Sequence, residues 1–292
     1  MKNNIFCIIS LLINTTLTAQ ELLPLPLRQK EELKARSWVR ETPFEQVIVK
    51  EIGNRISALN VNPKNSNEFL VAPENGGIWL TQNGGETYTP LCPTLPTQSI
   101  SAIAMDWTSG TLALATPYGI FISVDKGKTT KFSGLTNAQH ISSLYINPLN
   151  PQEIVAGVLG NSYKADEKRG IFKTTDGGNT WQQKLFVSTR AGISQITPSP
   201  DGSVLLAVAW DVNNSQWENV PYGSNSGVYK STDGGNSWTK ITTNNGFIKG
   251  NNIGKIGVTC FNSQTYYAVV DNRNPKKKEN NNSLQKTVRI HL

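Results

Sequence analysis

The sequence predicts an all-β fold of repeated four-stranded antiparallel units, and three observations carry that prediction. A motif of Gly, a branched aliphatic and an aromatic, closed by a short Asp/Gly turn, recurs four times, at 77–85, 119–127, 170–178 and 227–235. Two short apolar runs precede each copy. The 292 residues include 24 Gly and 15 Pro with 17% charged residues, a composition that opposes coiled coil and helical bundle. Repeat periods of roughly 40–60 residues indicate a propeller or solenoid. Four strands per unit make a blade, and radial stacking buries each sheet against its neighbours. The expected architecture is a β-propeller with about four full blades and a partial fifth.

Along the chain, residues 1–20 read as a secretory signal: Lys2, an apolar stretch from Ile5 to Ile13, then small and polar residues, with cleavage expected after Ala19. The stretch is too short and too interrupted to anchor a mature protein in a membrane. Residues 21–42 form an N-terminal extension, with a short helix expected from about Arg28 to Arg40. The propeller is expected over 43–271. Its inner strands are ISALNV (56–61), ISAIAM (100–105), ISSLYI (141–146) and ISQITP (193–198). Second strands follow at EFLVA (68–72), TLALAT (111–116), EIVAGV (153–158) and VLLAVAW (204–210), then the Gly-aromatic third strands. Alternating short runs bounded by turn residues are β by pattern.

In each turn the acidic or amide residue is expected to accept backbone N–H bonds while Gly supplies the positive φ that closes the loop. Asn83, Asp125, Asp176 and Asp233, with Gly85, Gly127, Gly178 and Gly235, are therefore assigned to the fold rather than to chemistry, as are Trp181 and Trp238 just beyond. The Ser/Thr-x-Asp-x-Gly-x-x-Trp pattern at 174–181 and 231–238 resembles the Asp-box, or bacterial neuraminidase repeat. With the stretch 55–90 and the Thr-Ala-Gln end of the leader, the chain is most similar to exported bacterial sortilin-like proteins labelled glycosyl hydrolases. That resemblance implies a longer chain with more blades.

A fifth unit starts at NNIGKIGVTCF (251–261) and continues as QTYYAVVD (264–271), after which 272–292 read as a basic, polar, disordered tail. A truncated propeller with an open edge strand is the preferred reading. The alternative is a five-bladed ring completed by the run at 44–52 pairing with the last blade. Self-association through the open edge follows from the first reading.

The formal charge of +7 is concentrated in 272–292, where six basic residues face Glu279 alone. The body is close to neutral, which excludes nucleic acid as a partner. Cys92 and Cys260, the cysteines left after cleavage, make no disulfide framework. No cofactor is implied. His140 and His291 are the only histidines and no acidic cluster has ligand spacing, so no metal is expected either. Sialidase chemistry lacks its arginine cluster, since the propeller holds only Arg55, Arg169 and Arg190, and no Gly-x-Ser-x-Gly elbow supports a serine hydrolase. Glycoside hydrolysis needs two carboxylates. Resemblance to xyloglucan-active two-propeller enzymes makes Glu74 a weak candidate for one, with Glu where those relatives carry Asp, and supplies no second.

Two insertions separate second and third strands, at 157–169 and 209–227. The latter carries Trp210, Asp211, Trp217, Glu218 and Tyr222, aromatic faces beside amide and carboxylate groups that suit a glycan or peptide ligand. The sequence thus predicts a secreted, periplasmic or envelope-bound recognition or scaffold module without independent catalysis. A glycoside hydrolase-like fragment and an assembly factor for an envelope or membrane complex are the alternatives.

Overall fold

The computed structural model describes residues 49–272 and 284–291, apart from Asn54, Asn137, Ser215, Gln216 and Lys249; side chains of 284–291 are not described. The expected leader, the whole N-terminal extension with its expected helix, and residues 273–283 and 292 of the tail lie outside the described residues.

Four sheets have four antiparallel strands in sequence order. The first contains β1 (Ile56–Asn62), β2 (Asn65–Pro73), β3 (Ile78–Thr81) and β4 (Thr89–Leu91). The second contains β5 (Ala102–Asp106), β6 (Thr111–Thr116), β7 (Gly119–Ser123) and β8 (Lys131–Gly134). The third contains β9 (Ile141–Ile146), β10 (Ile154–Val158), β11 (Gly170–Thr174) and β12 (Gln182–Leu185). The fourth contains β13 (Ala191–Pro198) and β14 (Leu205–Asp211), then β17 (Gly227–Ser231) and β18 (Thr239–Lys240), with a small hairpin of β15 (Asn213–Asn214) and β16 (Asn219–Val220) in its insertion.

The second strands β6, β10 and β14 are buried along almost their whole length because both faces are covered, and β2 is buried over its second half, after an exposed polar start. In β14, Leu206 and Val208 join the core shared with the fifth sheet, while Leu205, Ala207 and Ala209 join the core shared with the third. In β6, Ala113 and Ala115 pack toward the third sheet, and Leu112 and Leu114 toward the first. Period-two alternation thus splits each strand between two neighbours. Each fully buried aliphatic contributes about 1.5–3 kcal/mol. Successive sheets touch through β1, β5, β9, β13 and β19, and among the described residues no comparable contact joins the fifth sheet back to β1.

The fifth sheet contains β19 (Ile253–Cys260), β20 (Thr265–Asn272) and β21 (Leu284–His291). Here the structure corrects the reading of 272–292 as a tail without strands: 284–291 pair with β20 along their full length. Leu284, Val288 and Ile290 fall on one alternating series, 284, 286, 288 and 290, with Lys286 as its one polar member, a strand pattern that the Lys/Asn-rich run before it obscured. Of the run at 44–52, only residues 49–52 are described. Val49 forms an antiparallel bridge with Tyr88, extending the outer edge of the first sheet rather than the last.

The acidic turns share one geometry. Ser123, Thr174 and Ser231 each donate to the following Asp at 2.7 Å and accept the amide of Gly127, Gly178 or Gly235 at 2.8–2.9 Å. The Asp then takes the amide and hydroxyl of Thr129, Thr180 or Ser237. Asn83 accepts the Thr87 amide in the same manner, without a charge. Trp181 Nε1 donates to Ser133 O at 2.6 Å, tying the third sheet to the second.

These hydrogen bonds depress the carboxyls. Asp125 falls to about 2 through Thr129 and Ser123. Asp176 lies well below the ordinary range through Thr180 and Thr174. Burial opposes the effect at Asp233, but Ser237 and Ser231 still bring it to about 2. A carboxyl depressed on folding stabilises above its unfolded pKa, near 3.9, and that contribution disappears as pH falls through the folded value. The melting temperature is expected to drop between pH 4 and pH 2. The triple variant Asp125→Asn/Asp176→Asn/Asp233→Asn, which imitates Asn83, should melt lower at pH 7 and show a flatter acid limb. An unchanged acid limb in calorimetry would refute this.

Candidate functional site

Strand alternation puts the connections from second to third strands at one end of every sheet, together with the links between sheets. Glu74, both insertions and Arg190 therefore share one end, and the acidic turns lie at the other. The two insertions are bonded to each other: the Asn214 amide donates to Ser162 O at 2.8 Å, and Asn214 Nδ2 donates to Ser162 Oγ at 3.2 Å.

Below them, two charges are buried. Arg169, 1% exposed, donates Nη1 to Leu159 O at 2.6 Å and Nη2 to Lys164 O at 3.2 Å and to Asn161 O. Its guanidinium gathers the carbonyls of the first insertion, which leave the sheet and have no strand partner. Burial pulls its pKa down, while the charges of Asp166 and Asp211 oppose that shift. Asp211, 4% exposed, accepts the Asn225 side chain at 2.9 Å on Oδ2 and faces Arg190 Nε at 3.5 Å on Oδ1. Gly223 is required beside it, since a Cβ there would lie 2.2 Å from Asp211 Oδ2.

The residues grouped by sequence divide into two sets. Trp210 is half-buried, donating Nε1 to Pro221 O at 2.8 Å beneath the Lys255 ammonium, 5.6 Å from its ring centroid. Asp211 is buried and Tyr222 half-buried, and both lie at the base of the loop. Trp217 is 93% exposed and Glu218 is exposed beside it. Tyr163 of the other insertion is also exposed. Arg169 stood in an ordinary-looking charged run, Asp166-Glu167-Lys168-Arg169, and only the adjoining Gly170 strand hinted at its burial.

Glu74 sits in the turn after β2, exposed and 3.4 Å from Arg55 Nε. Among the described residues no group of three or more His, Cys, Asp or Glu side chains could hold a metal. Among the described residues neither Cys92 nor Cys260 is in a disulfide, and burial, with the Asp125 charge adding, pushes the Cys92 thiol up to about 12. Among the described residues no helix is long and apolar enough to cross a membrane.

Repeated four-stranded sheets stacked face to face through their inner strands define a β-propeller protein. Solved structures of the same class resemble it. Over 73% of this chain and 33% of the other, it superposes on the GH74 enzyme of Niastella koreensis with a TM-score of 0.56 at 24% identity. The GH74 xyloglucanase from Xanthomonas campestris gives 0.59 at 16% identity over 80% of this chain and 36% of that one. A chain of the nidogen/laminin complex gives 0.50 at 12% identity, covering 74% and 75%. The chain thus spans about a third of the length of the two GH74 proteins. No protein-family model matches it, and no curated protein does.

Proposed function

We propose that the chain is an exported Asp-box β-propeller, of the sortilin-like and glycosyl-hydrolase-like kind, acting as a recognition or scaffold module for a glycan or peptide without independent catalysis. The observation that carries this reading is the pair of insertions, bonded to each other at Asn214 and Ser162 and presenting Trp217 and Tyr163 to solvent. Rigid aromatics on an anchored loop offer a contact surface at small entropic cost. The leader-like run at 1–20 supports export to the periplasm, envelope or medium.

The likeness to two GH74 enzymes favours a second reading, a hydrolase fragment in which Glu74 is one of the two carboxylates. One carboxylate paired with Arg55 cannot serve both faces of a glycosidic bond. Two measurements separate the readings. Affinity electrophoresis on soluble glycans and pull-down from the native envelope should both detect retention that Trp217→Ala weakens about tenfold, a loss of about 1.4 kcal/mol. Reducing-sugar release from β-glucans should stay at the blank. Release abolished by Glu74→Gln would establish the hydrolase, and capture of a protein complex insensitive to Trp217→Ala would favour an assembly factor.

A further inference from the structure

At the opposite end of the sheets, away from both insertions, the inner strands of the first four sheets converge on a cavity of about 530 Å³. That volume lies within the range of ligand pockets. Rings form a third of its lining, at Pro63, Trp107, Tyr145, Pro148 and Pro198, and aliphatic side chains such as Val61, Leu144 and Ile146 fill between them. Three of the rings occupy equivalent positions in the repeat. Asn62, Asp106 and Asn147 each accept, through the side chain, the amide two residues on, at 3.0–3.2 Å, and the residue directly after each is Pro63, Trp107 or Pro148. A proline there suits the turn by itself. Its repetition around successive hairpins nevertheless builds a ring-lined chamber. Trp107 is fixed in place, donating Nε1 to Asn60 Oδ1 on the neighbouring sheet at 2.8 Å.

Most polar atoms in the walls are already committed to the hairpins. Asn60 Oδ1 is taken by Trp107, Asn62 binds the Lys64 amide and Glu68, and the two Asp106 oxygens take the Thr108 and Ser109 amides at 3.2 and 3.0 Å. A sugar would bury hydroxyls with few partners, a penalty an apolar side chain avoids. Two charges line the wall: the Asp106 carboxylate, whose oxygens are turned onto the amides of its own hairpin and on which the Lys64 charge acts, and the Lys64 ammonium, which enters no ion pair within 4.0 Å among the described residues. We propose that this cavity binds an extended peptide, admitting one aliphatic or prolyl side chain among the rings and setting a neighbouring carboxylate against Lys64. The site is separate from the loop surface proposed above and does not depend on it.

The test is selection of a displayed random heptapeptide library on the full chain, with Val61→Trp as the counter-target and Trp217→Ala as a second, parallel target. Val61 lines the cavity from a position 44% exposed, so its enlargement obstructs the chamber without entering the packed core. Should that variant melt abnormally, Thr108→Trp, at an exposed wall position, replaces it. Peptides pairing Leu, Ile, Val or Pro with an adjacent Asp or Glu should be enriched on the wild type and on Trp217→Ala. A synthetic copy of the leading peptide should lose at least tenfold in affinity for the obstructed variant. Lys64→Gln should weaken it about threefold, and that loss should vanish for the copy with Gln in place of its acid. No enrichment over the obstructed variant, equal affinity for it, or displacement of the peptide by cellotetraose would overturn the proposal. Failure at the loop surface would instead show as glycan or envelope retention indifferent to Trp217→Ala.

Discussion

Gly170→Ala is expected to lower the unfolding free energy by about 3–5 kcal/mol, the sum of a forbidden backbone conformation and a clash that cannot relax. Gly227→Ala, at the same place in the next repeat, should be nearly neutral. Gly170 has φ +118°, and a Cβ there would lie 1.9 Å from Leu185 O and 3.0 Å from its carbonyl carbon, both backbone atoms of the paired strand. The register between β11 and β12 shifts between Ile171 and Phe172, so the strands approach most closely where the glycine stands. Gly119 repeats the arrangement, with φ +124° and the Gly134 carbonyl oxygen 2.3 Å from the Cβ position. Gly227 meets only the flexible end of Lys240, at 2.8 Å from Cε. Alanine there even narrows the unfolded ensemble, which favours the folded state. Urea titrations of the two variants check this. At roughly 2–4 °C per kcal/mol for a domain of this size, the melting temperatures should separate by about 10 °C. Equal losses would mean that the repeated glycine answers only to strand propensity.

That contrast shows what the sequence could and could not reveal. The repeat made strand order and the acidic turns legible, because both are written in local patterns: two-faced apolar runs such as Leu205–Ala209, and a Ser/Thr-x-Asp-x-Gly spacing that closes on itself. It gave no way to tell Gly170 from Gly227, since the difference lies in how the outer strand approaches. β21 was hidden for a similar reason, its alternation short and preceded by a polar run. In the second insertion, composition grouped Trp210, Asp211, Trp217, Glu218 and Tyr222 together, whereas Trp210 and Asp211 end β14 and Trp217 and Glu218 stand on the loop beyond it. Which of them face solvent depends on Gly223 making room for Asp211 and on Pro221 accepting from Trp210, contacts no spacing announces. The ring-lined cavity was present in the sequence as Asn62-Pro63, Asp106-Trp107 and Asn147-Pro148, but only as turns until the inner strands brought them together.

Arg169→Met should cost about 3 kcal/mol and loosen the surface on which the proposed recognition rests. The methionine fills much of the same space but donates nothing, so the carbonyls of Leu159, Asn161 and Lys164 lose their shared partner. A hydrogen bond from a charged donor contributes about 1.5–3 kcal/mol, and a buried acceptor left without one adds its own desolvation penalty. Water entering the opened loop would recover part of that. Asp211 would also keep only Arg190 as a neighbouring cation, at 3.5 Å and half exposed. Lysine should not rescue the site, because one ammonium cannot reproduce the planar fork that reaches three carbonyls. Gly160 packs against the arginine stem, where a Cβ would lie 2.7 Å from Arg169 Cγ, so the loop is shaped around this side chain in particular. The loss should appear as a lower urea midpoint and as faster cleavage by trypsin at Lys164 and Lys168 under native conditions. Because Asn214 is bonded to Ser162 across the two insertions, the second insertion should loosen with the first, and ligand retention should fall in Arg169→Met although residue 169 is buried. Native-like proteolysis and retention in both the Met and the Lys variants would show that the insertion holds its shape without the guanidinium.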